Sequence, residues 1–378
     1  MIVATRDEFG FRRIVYAERG EATSNGIASL LRKARLPASV PDIAAIQGYL
    51  GGDRLAGHTV LRDVLAVPPG HSLIRSPQGW ALRAAPGAAE RGNLREALRA
   101  SLQSALDSGK RVALALSGGL DSALLLALLR EMGVQRSIPS YILVTDLPDY
   151  CERDTALDIA DRLGARVKLV RVTAQDFVAA LPAATRCVEE PMFNMHPVAK
   201  LLLARAMAAD GIAVAITGDG ADQVMRRDRS ANYLPLCNAM FADAAVTLHA
   251  PFLDAAVVRH LTSLPRDPDK QCLRELGEQL ALPERLVRGP KQGRLAPAMD
   301  LRPLVDDARI RDLSTTLGIA QPALHVDTER VLWTTLVLLL DSLQAEAMSH
   351  TSASAAATVS SSSAIESASS WHPRNPPS

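Results

Sequence analysis

Cysteine is scarce in this sequence, and the little there is lies scattered. Cys151, Cys187, Cys237 and Cys272 stand alone, with no Cys-x-x-Cys pair. That spacing excludes a disulfide framework and a zinc site, and it predicts a reducing, cytoplasmic setting. The eight histidines are equally dispersed. His249 and His260 lie near one another but lack metal-ligand helix spacing, so they read as structural. An excess of one charge is missing too. Lys and Arg total 42 against 41 Asp and Glu, for a net charge of +1. With no basic block or aromatic-interleaved basic stripe, no nucleic-acid partner is expected. Long apolar runs are absent as well. Met1 to Asp7 holds no signal-like core, and Val331 to Leu340 falls far short of the roughly 20 residues that span a bilayer. No membrane partner is expected, and that run reads as a core helix.

Two familiar phosphate signatures are also absent. The only Gly-Lys pair, Gly109-Lys110, is followed by Arg111 where Ser or Thr is required. Gly218-Asp219-Gly220 runs on to Gln223, so no Gly-x-Gly-x-x-Gly forms. Kinase-like and dehydrogenase readings lose their main support. What stands instead is Ser117-Gly118-Gly119-Leu120-Asp121-Ser122, between the apolar runs Val112–Leu116 and Ala123–Leu129. That order predicts buried strand, glycine turn and helix. Two glycines let the backbone approach a ligand, and N–H groups converge at the helix start, where an anion is favoured. Ser117 and Ser122 add hydroxyls, and Asp121 adds a carboxylate suited to Mg²⁺ beside phosphate oxygens.

At 378 residues the chain is expected to hold about two domains. Residues 1–90 show short alternating patches and the turn-rich stretch Val67–Leu73, which predict a small β-rich domain. Residues 91–345 alternate strand and helix patterns: Ile138–Thr145, a helix closed by Gly164, Arg166–Val172, a long helix ended by Gly211, then Ile212–Thr217. The fold class expected is α/β, a doubly wound parallel sheet, with a mostly helical C-terminal part from about 235. Ligands of such sheets sit beyond the strand C-terminal ends, where Ser117, Thr145 and Thr217 all fall. Residues 346–378, rich in Ser and Ala and ending in Pro373, Pro376 and Pro377, are expected to be a disordered tail.

Two further segments carry chemistry. Thr217-Gly218-Asp219-Gly220-Ala221-Asp222 follows its strand as the first loop follows its own, and holds two carboxylates three apart. Gly289-Pro290-Lys291-Gln292-Gly293 projects a lysine from a loop, able to neutralise a phosphate or an oxyanion. With Ala250-Pro251-Phe252-Leu253-Asp254, these motifs stand in the order found in the synthetase domain of the asparagine synthetase family, which the chain resembles over most of 91–300. That family is one of the N-type ATP pyrophosphatases. Leu65–His71 also resembles the end of the family's N-terminal glutaminase domain.

The resemblance implies an adenine nucleotide alpha-hydrolase-like fold and ATP and Mg²⁺ as cofactors. It implies that a carboxylate attacks the α-phosphorus of ATP, that pyrophosphate leaves, and that an amine attacks the resulting acyl-adenylate to give an amide and AMP. Ser117, Gly118, Gly119 and Ser122 then hold pyrophosphate, and Asp121 and Asp222 ligate Mg²⁺. Lys291 stabilises the transition states, and Asp219 orients or deprotonates the amine. Leu116, Val144 and Gly218 contact adenosine, partly through backbone groups. Glu189 and Glu190 face the substrate pocket or form a solvated acidic loop.

The departures are equally informative. Ile2 stands where the family places a catalytic cysteine, and no cysteine precedes Cys151, so glutamine hydrolysis is not expected. The N-terminal region is shorter than a full glutaminase domain. Asp219 replaces the usual Glu, Met225-Arg226-Arg227-Asp228 replaces Phe-Gly-Gly-Tyr, and Thr247-Leu248-His249 replaces Glu-Ala-Arg. The expected partner is therefore a small-molecule or peptide carboxylate, with a precursor peptide or partner protein included. Three readings follow. One is a specialised ligase similar to lasso peptide cyclases; β-lactam synthetases resemble the chain less, since they carry a tyrosine at the place of Asp219. Another is an asparagine synthetase fed by ammonia or by a separate amidotransferase. The third is a degenerate nucleotide-binding module.

Overall fold

The structure is a computed structural model. It describes the chain except residues 35, 37–39, 54–56, 86, 88–91, 230–232, 290–295 and 367–378, and over 347–366 it describes the backbone alone. The chain opens with β1 (Ile2–Thr5), β2 (Val15–Ala17), β3 (Thr23–Ser24), α1 (Ile27–Ala34), α2 (Ile43–Leu50), β4 (Val64–Ala66), β5 (His71–Ser76) and β6 (Gly79–Ala84). These strands make two three-stranded antiparallel sheets, β1-β5-β6 and β3-β2-β4. Val15, Ile27, Leu30 and Ile46 share one apolar cluster with Trp333, Leu336, Val337 and Leu340. The change of texture near residue 90 is thus not a break in the hydrophobic core.

From Asn93, whose side chain caps α3 (Leu94–Leu106), the elements alternate. They are β7 (Val112–Ala115), α4 (Leu120–Glu131), β8 (Ser140–Thr145), α5 (Arg153–Leu163), β9 (Val167–Val172), α6 (Ala174–Val188), α7 (His196–Ala209), β10 (Val214–Ile216), α8 (Ala221–Arg226), α9 (Tyr233–Asp243) and β11 (Thr247–His249). The sheet order is β11-β10-β7-β8-β9, and every neighbouring pair is parallel.

Alternate strand residues point to opposite faces. Leu114, Ile142, Val144, Val214 and Ile216 enter the cluster that holds α4 and α5. Ala113, Tyr141, Ala215 and Leu248 enter the cluster that holds α6, α7 and α9. Both faces are covered, as a parallel sheet requires, and the expected doubly wound α/β architecture is present. Helix α4 lies deepest. Its residues 122–129 are all buried, which accounts for a helix apolar on every side. Gly164 closes α5 with φ 65°, a left-handed position that glycine enters freely.

Strand β11 departs from the helical reading of the region after 235. Three residues are too few to show alternation, and Leu248 supplies its only buried side chain. A 3-10 turn at Pro251–Leu253 follows, then α10 (Ala255–Ser263), α11 (Gln271–Gln279), α12 (Glu284–Val287), α13 (Asp307–Thr316) and α14 (Asp327–Glu366). The run Val331 to Leu340 is largely buried within α14. The helix continues through Glu366, into the stretch expected to be disordered. That composition argues against a buried segment, not against a helix: Asp341 to Glu366 contains no Gly or Pro, and alanine is the best helix former. Among the described residues, no helix is long and apolar enough to cross a membrane.

Candidate functional site

Strand order runs β7, β8, β9 to one side and β10, β11 to the other, so the switch of direction lies between β7 and β10. The crevice at such a switch is where these sheets bind ligands. The Ser117–Ser122 and Gly218–Asp222 loops leave these two strands side by side. Their contact leaves no room for a side chain at Gly218, where a Cβ would lie 2.9 Å from the Asp121 Cβ and 3.0 Å from the Ser122 nitrogen. Gly220 has φ 95°, and a Cβ there would meet Leu253 at 2.4 Å. The Pro251–Leu253 turn therefore seats against the second loop, and Asp254 caps α10 through the Ala256 N–H.

The first loop is laced by its own hydroxyls. The Ser117 N–H donates to the Ser122 Oγ at 3.1 Å, and the Ser122 hydroxyl is buried within the turn. Ser117 is exposed, and its Oγ accepts from the Gly119 N–H at 3.3 Å. No side chain caps the start of α4. Ser117 and Ser122 thus shape the loop through their own hydroxyls, 3.0 Å apart, with Gly118 and Gly119 half-buried between them. Leu116 and Val144 direct their side chains into the core, which leaves only backbone groups for a nucleotide.

Asp121 and Asp222 meet at a residue absent from the sequence reading. The Lys270 Nζ stands 2.9 and 2.6 Å from the two Asp121 oxygens and 3.1 Å from Asp222 Oδ1. Its side chain is 9% exposed. The ammonium shows that the two carboxylates gather around positive charge at this point. Among the described residues, no group of three His, Cys, Asp or Glu gathers to hold a metal.

Asp219 has a partner of its own. The Lys200 ammonium contacts its oxygens at 3.0 and 2.9 Å, with side chains only 17% and 10% exposed. Burial opposes the Lys200 charge, but Asp219 outweighs it and raises the lysine's pKa. One turn earlier on α7, His196 lies between two phenols. The Tyr150 hydroxyl is 2.6 Å from Nδ1 and the Tyr233 hydroxyl 3.2 Å from Nε2. Burial, together with the Lys200 charge, lowers His196 to about 4, so the ring is neutral at physiological pH. A neutral imidazole donates to one phenol and accepts from the other. The signal for Lys200 was available: it interrupts the apolar run Pro197-Val198-Ala199-Lys200-Leu201-Leu202-Leu203. Lys270 follows Asp267-Pro268-Asp269, which reads as an ordinary turn.

Other expected residues fall elsewhere. Glu189 does not face this crevice. Its carboxylate accepts the Ile27 and Ala28 N–H groups at the start of α1, at 2.5 and 2.7 Å, and Arg13 lies 3.6 Å from Glu189 and 2.8 Å from Glu190. Lys291 lies outside the described residues. His249 bonds Ser101, and His260 accepts from the Gly92 N–H, each at its own place in the fold. Arg227, in the segment that departs from the family pattern, donates to the carbonyls of Val224, Leu261 and Leu264. Burial pushes the Cys187 and Cys237 thiols up to about 12 and Cys272 up to about 11, so none of these three is a thiolate nucleophile at neutral pH.

The chain is similar to two curated proteins. They are the amidase chry2 of Gibberella zeae, 25% identical over 252 residues, and the amidase chyE of Penicillium rubens, 25% identical over 255 residues. Each match takes in 59% of this chain and 37% of the relative, so the chain spans well under half the length of the proteins it matches. Two solved structures are similar at a low level. An NMN synthetase from Francisella tularensis has a TM-score of 0.33 and 18% identity, over 66% of this chain and 94% of that one. An ammonia-dependent NAD synthetase from Campylobacter jejuni has a TM-score of 0.35 and 14% identity, over 65% and 94%. Residues 93–227, which contain both loops of the crevice, match the asparagine synthase family model, and that match supports an ATP-using, amide-forming synthetase.

Proposed function

We propose that the chain is an ATP-dependent ligase that converts a carboxylate to its acyl-adenylate, releasing pyrophosphate, and passes the acyl group to an amine, releasing AMP. The observation that carries this reading is the meeting of Asp121 and Asp222 from two loops at the sheet's switch point. Ser117 and the backbone of Gly118 and Gly119 receive pyrophosphate at the start of α4. Asp121 and Asp222 would hold Mg²⁺, which when bound screens charge on the leaving group. Lys270 places an ammonium at the same point, ready for phosphate oxygens. Asp219, held by Lys200, orients the incoming amine. Lys291 is proposed to stabilise the developing charge of both steps.

The amine is proposed to come from the substrate itself. A peptide or specialised-metabolite carboxylate, including macrolactam closure of a precursor peptide, fits that supply. The names of the curated relatives, both amidases, are consistent with amide chemistry. The test is release of AMP and pyrophosphate from Mg-ATP with a panel of amino-acid and peptide carboxylates, aspartate plus ammonia included. Carboxylate-dependent AMP release, lowered on the order of a hundredfold or more by Asp121→Ala, is expected. Aspartate-dependent release with asparagine formed would replace the substrate assignment. Tight ATP binding without any release across the panel would leave a nucleotide-binding module.

A further inference from the structure

We infer that Lys270 is an internal cation that competes with a divalent metal for Asp121 and Asp222, so that metal binding here depends on a phosphate-bearing ligand. The inference rests on the proposed reading only in taking these two carboxylates as metal ligands. Three distances define it: the Lys270 Nζ lies within 2.9 Å of both Asp121 oxygens and 3.1 Å from Asp222. The lysine is placed there by its backbone. It sits in the left-handed region at φ 59° and ψ 38°, unusual for a residue with a side chain. Its carbonyl accepts the Leu273 and Arg274 N–H groups at 3.0 and 2.9 Å, and its own N–H donates to the Asp267 carbonyl at 3.2 Å. Asp267 also accepts from the Cys272 N–H, fixing the start of α11. The side chain thus leaves a pinned helix start and reaches across to both motif loops.

Charge decides the consequence. Lys270 already sets one ammonium against both carboxylates. A divalent ion added beside Lys270 would bring a second positive centre onto the same two carboxylates, and like charges that close repel. Among the described residues, no third acidic or imidazole ligand is gathered to offset it. A di- or triphosphate does two things at once. It supplies oxygen ligands to the metal, and it gives the Lys270 ammonium a new partner as it leaves the carboxylates.

Equilibrium dialysis with Mn²⁺, with and without inorganic pyrophosphate on both sides of the membrane, tests this on the full chain without any turnover. The wild type and Lys270→Arg should retain no Mn²⁺ at submillimolar concentration unless pyrophosphate is present. Lys270→Gln should bind one Mn²⁺ without pyrophosphate, at least tenfold more tightly than the wild type. Equal Mn²⁺ affinity of wild type and Lys270→Gln would overturn the inference. If Lys270→Gln does not fold, the wild type alone decides: Mn²⁺ bound as tightly without pyrophosphate as with it overturns the inference. A failed AMP-release assay with this Mn²⁺ pattern intact would sink the ligase reading and leave the internal cation standing.

Discussion

Two lysines meet three aspartates at the carboxyl edge of the sheet, and they meet them differently. Lys200 contacts a single carboxylate, Asp219, in a pair that is nearly enclosed. Lys270 is shared between Asp121 and Asp222, whose side chains are 21% and 26% exposed. The first cluster is electrically balanced and packed among Tyr150, His196 and Tyr233. The second joins carboxylates from two loops, and they are more exposed. The enclosed pair is held by a single partner, whereas the shared and more exposed one is where we propose that cations and phosphates exchange. Both clusters draw on the same six-residue loop, so the difference comes from the elements packed against it.

The largest test of that contrast is Lys200→Met. It strands Asp219 in an enclosed place and is expected to cost ~3–5 kcal/mol by urea denaturation. Replacing both partners, Lys200→Met with Asp219→Leu, should recover most of the loss, because a packed apolar pair needs no counter-ion. A mild cost from the single change would mean that the pair is as open as its neighbour.

Acid should reach the balanced cluster first through His196. Its folded pKa of about 4 lies below its ordinary 6.5. Between those values the unfolded chain takes up a proton that the folded chain refuses. Stability contributed by the neutral ring therefore falls as pH drops from about 6.5 and levels off near 4, a loss on the order of 3 kcal/mol. Unfolding free energy measured across that window should show the slope in the wild type and lose it in His196→Gln.

Added Mg²⁺ should then separate the two lysines. Lys270→Gln leaves two carboxylates that a divalent ion can join, and a ligand at a hundred times its Kd stabilises a fold by about 2.7 kcal/mol. Lys200→Met leaves a lone, enclosed carboxylate and should gain nothing. A thermal shift of equal size in both variants would erase the distinction drawn between the clusters. The smallest effect is expected at the rim. Ser117→Ala removes a hydroxyl that bonds Ser122 and the Gly119 N–H, and should slow AMP release by roughly tenfold, about 1.4 kcal/mol.

The loops were legible because their signals are local. A buried strand, a glycine turn and an apolar helix follow one another within 20 residues around Ser117, and again around Gly218. The glycines at 218 and 220 are demanded by contacts with Asp121 and Leu253, yet they announce themselves in sequence as glycines. The lysines were not legible in the same way. Lys270 reaches a carboxylate 149 residues earlier, and nothing near it in the chain distinguishes it from a solvated turn lysine. Glu189 was left open by the sequence between the substrate pocket and a solvated acidic loop. It turns instead to the first helix, 162 residues away, where two backbone N–H groups need an acceptor.

Periodicity, glycine placement and carboxylate spacing, all properties of short windows, determined the parallel α/β sheet and the edge on which its chemistry lies. Which charges face one another across that edge was decided by folding alone. Ion pairing depends on distance and dielectric, and both are set only when α7, α11 and the two loops pack together.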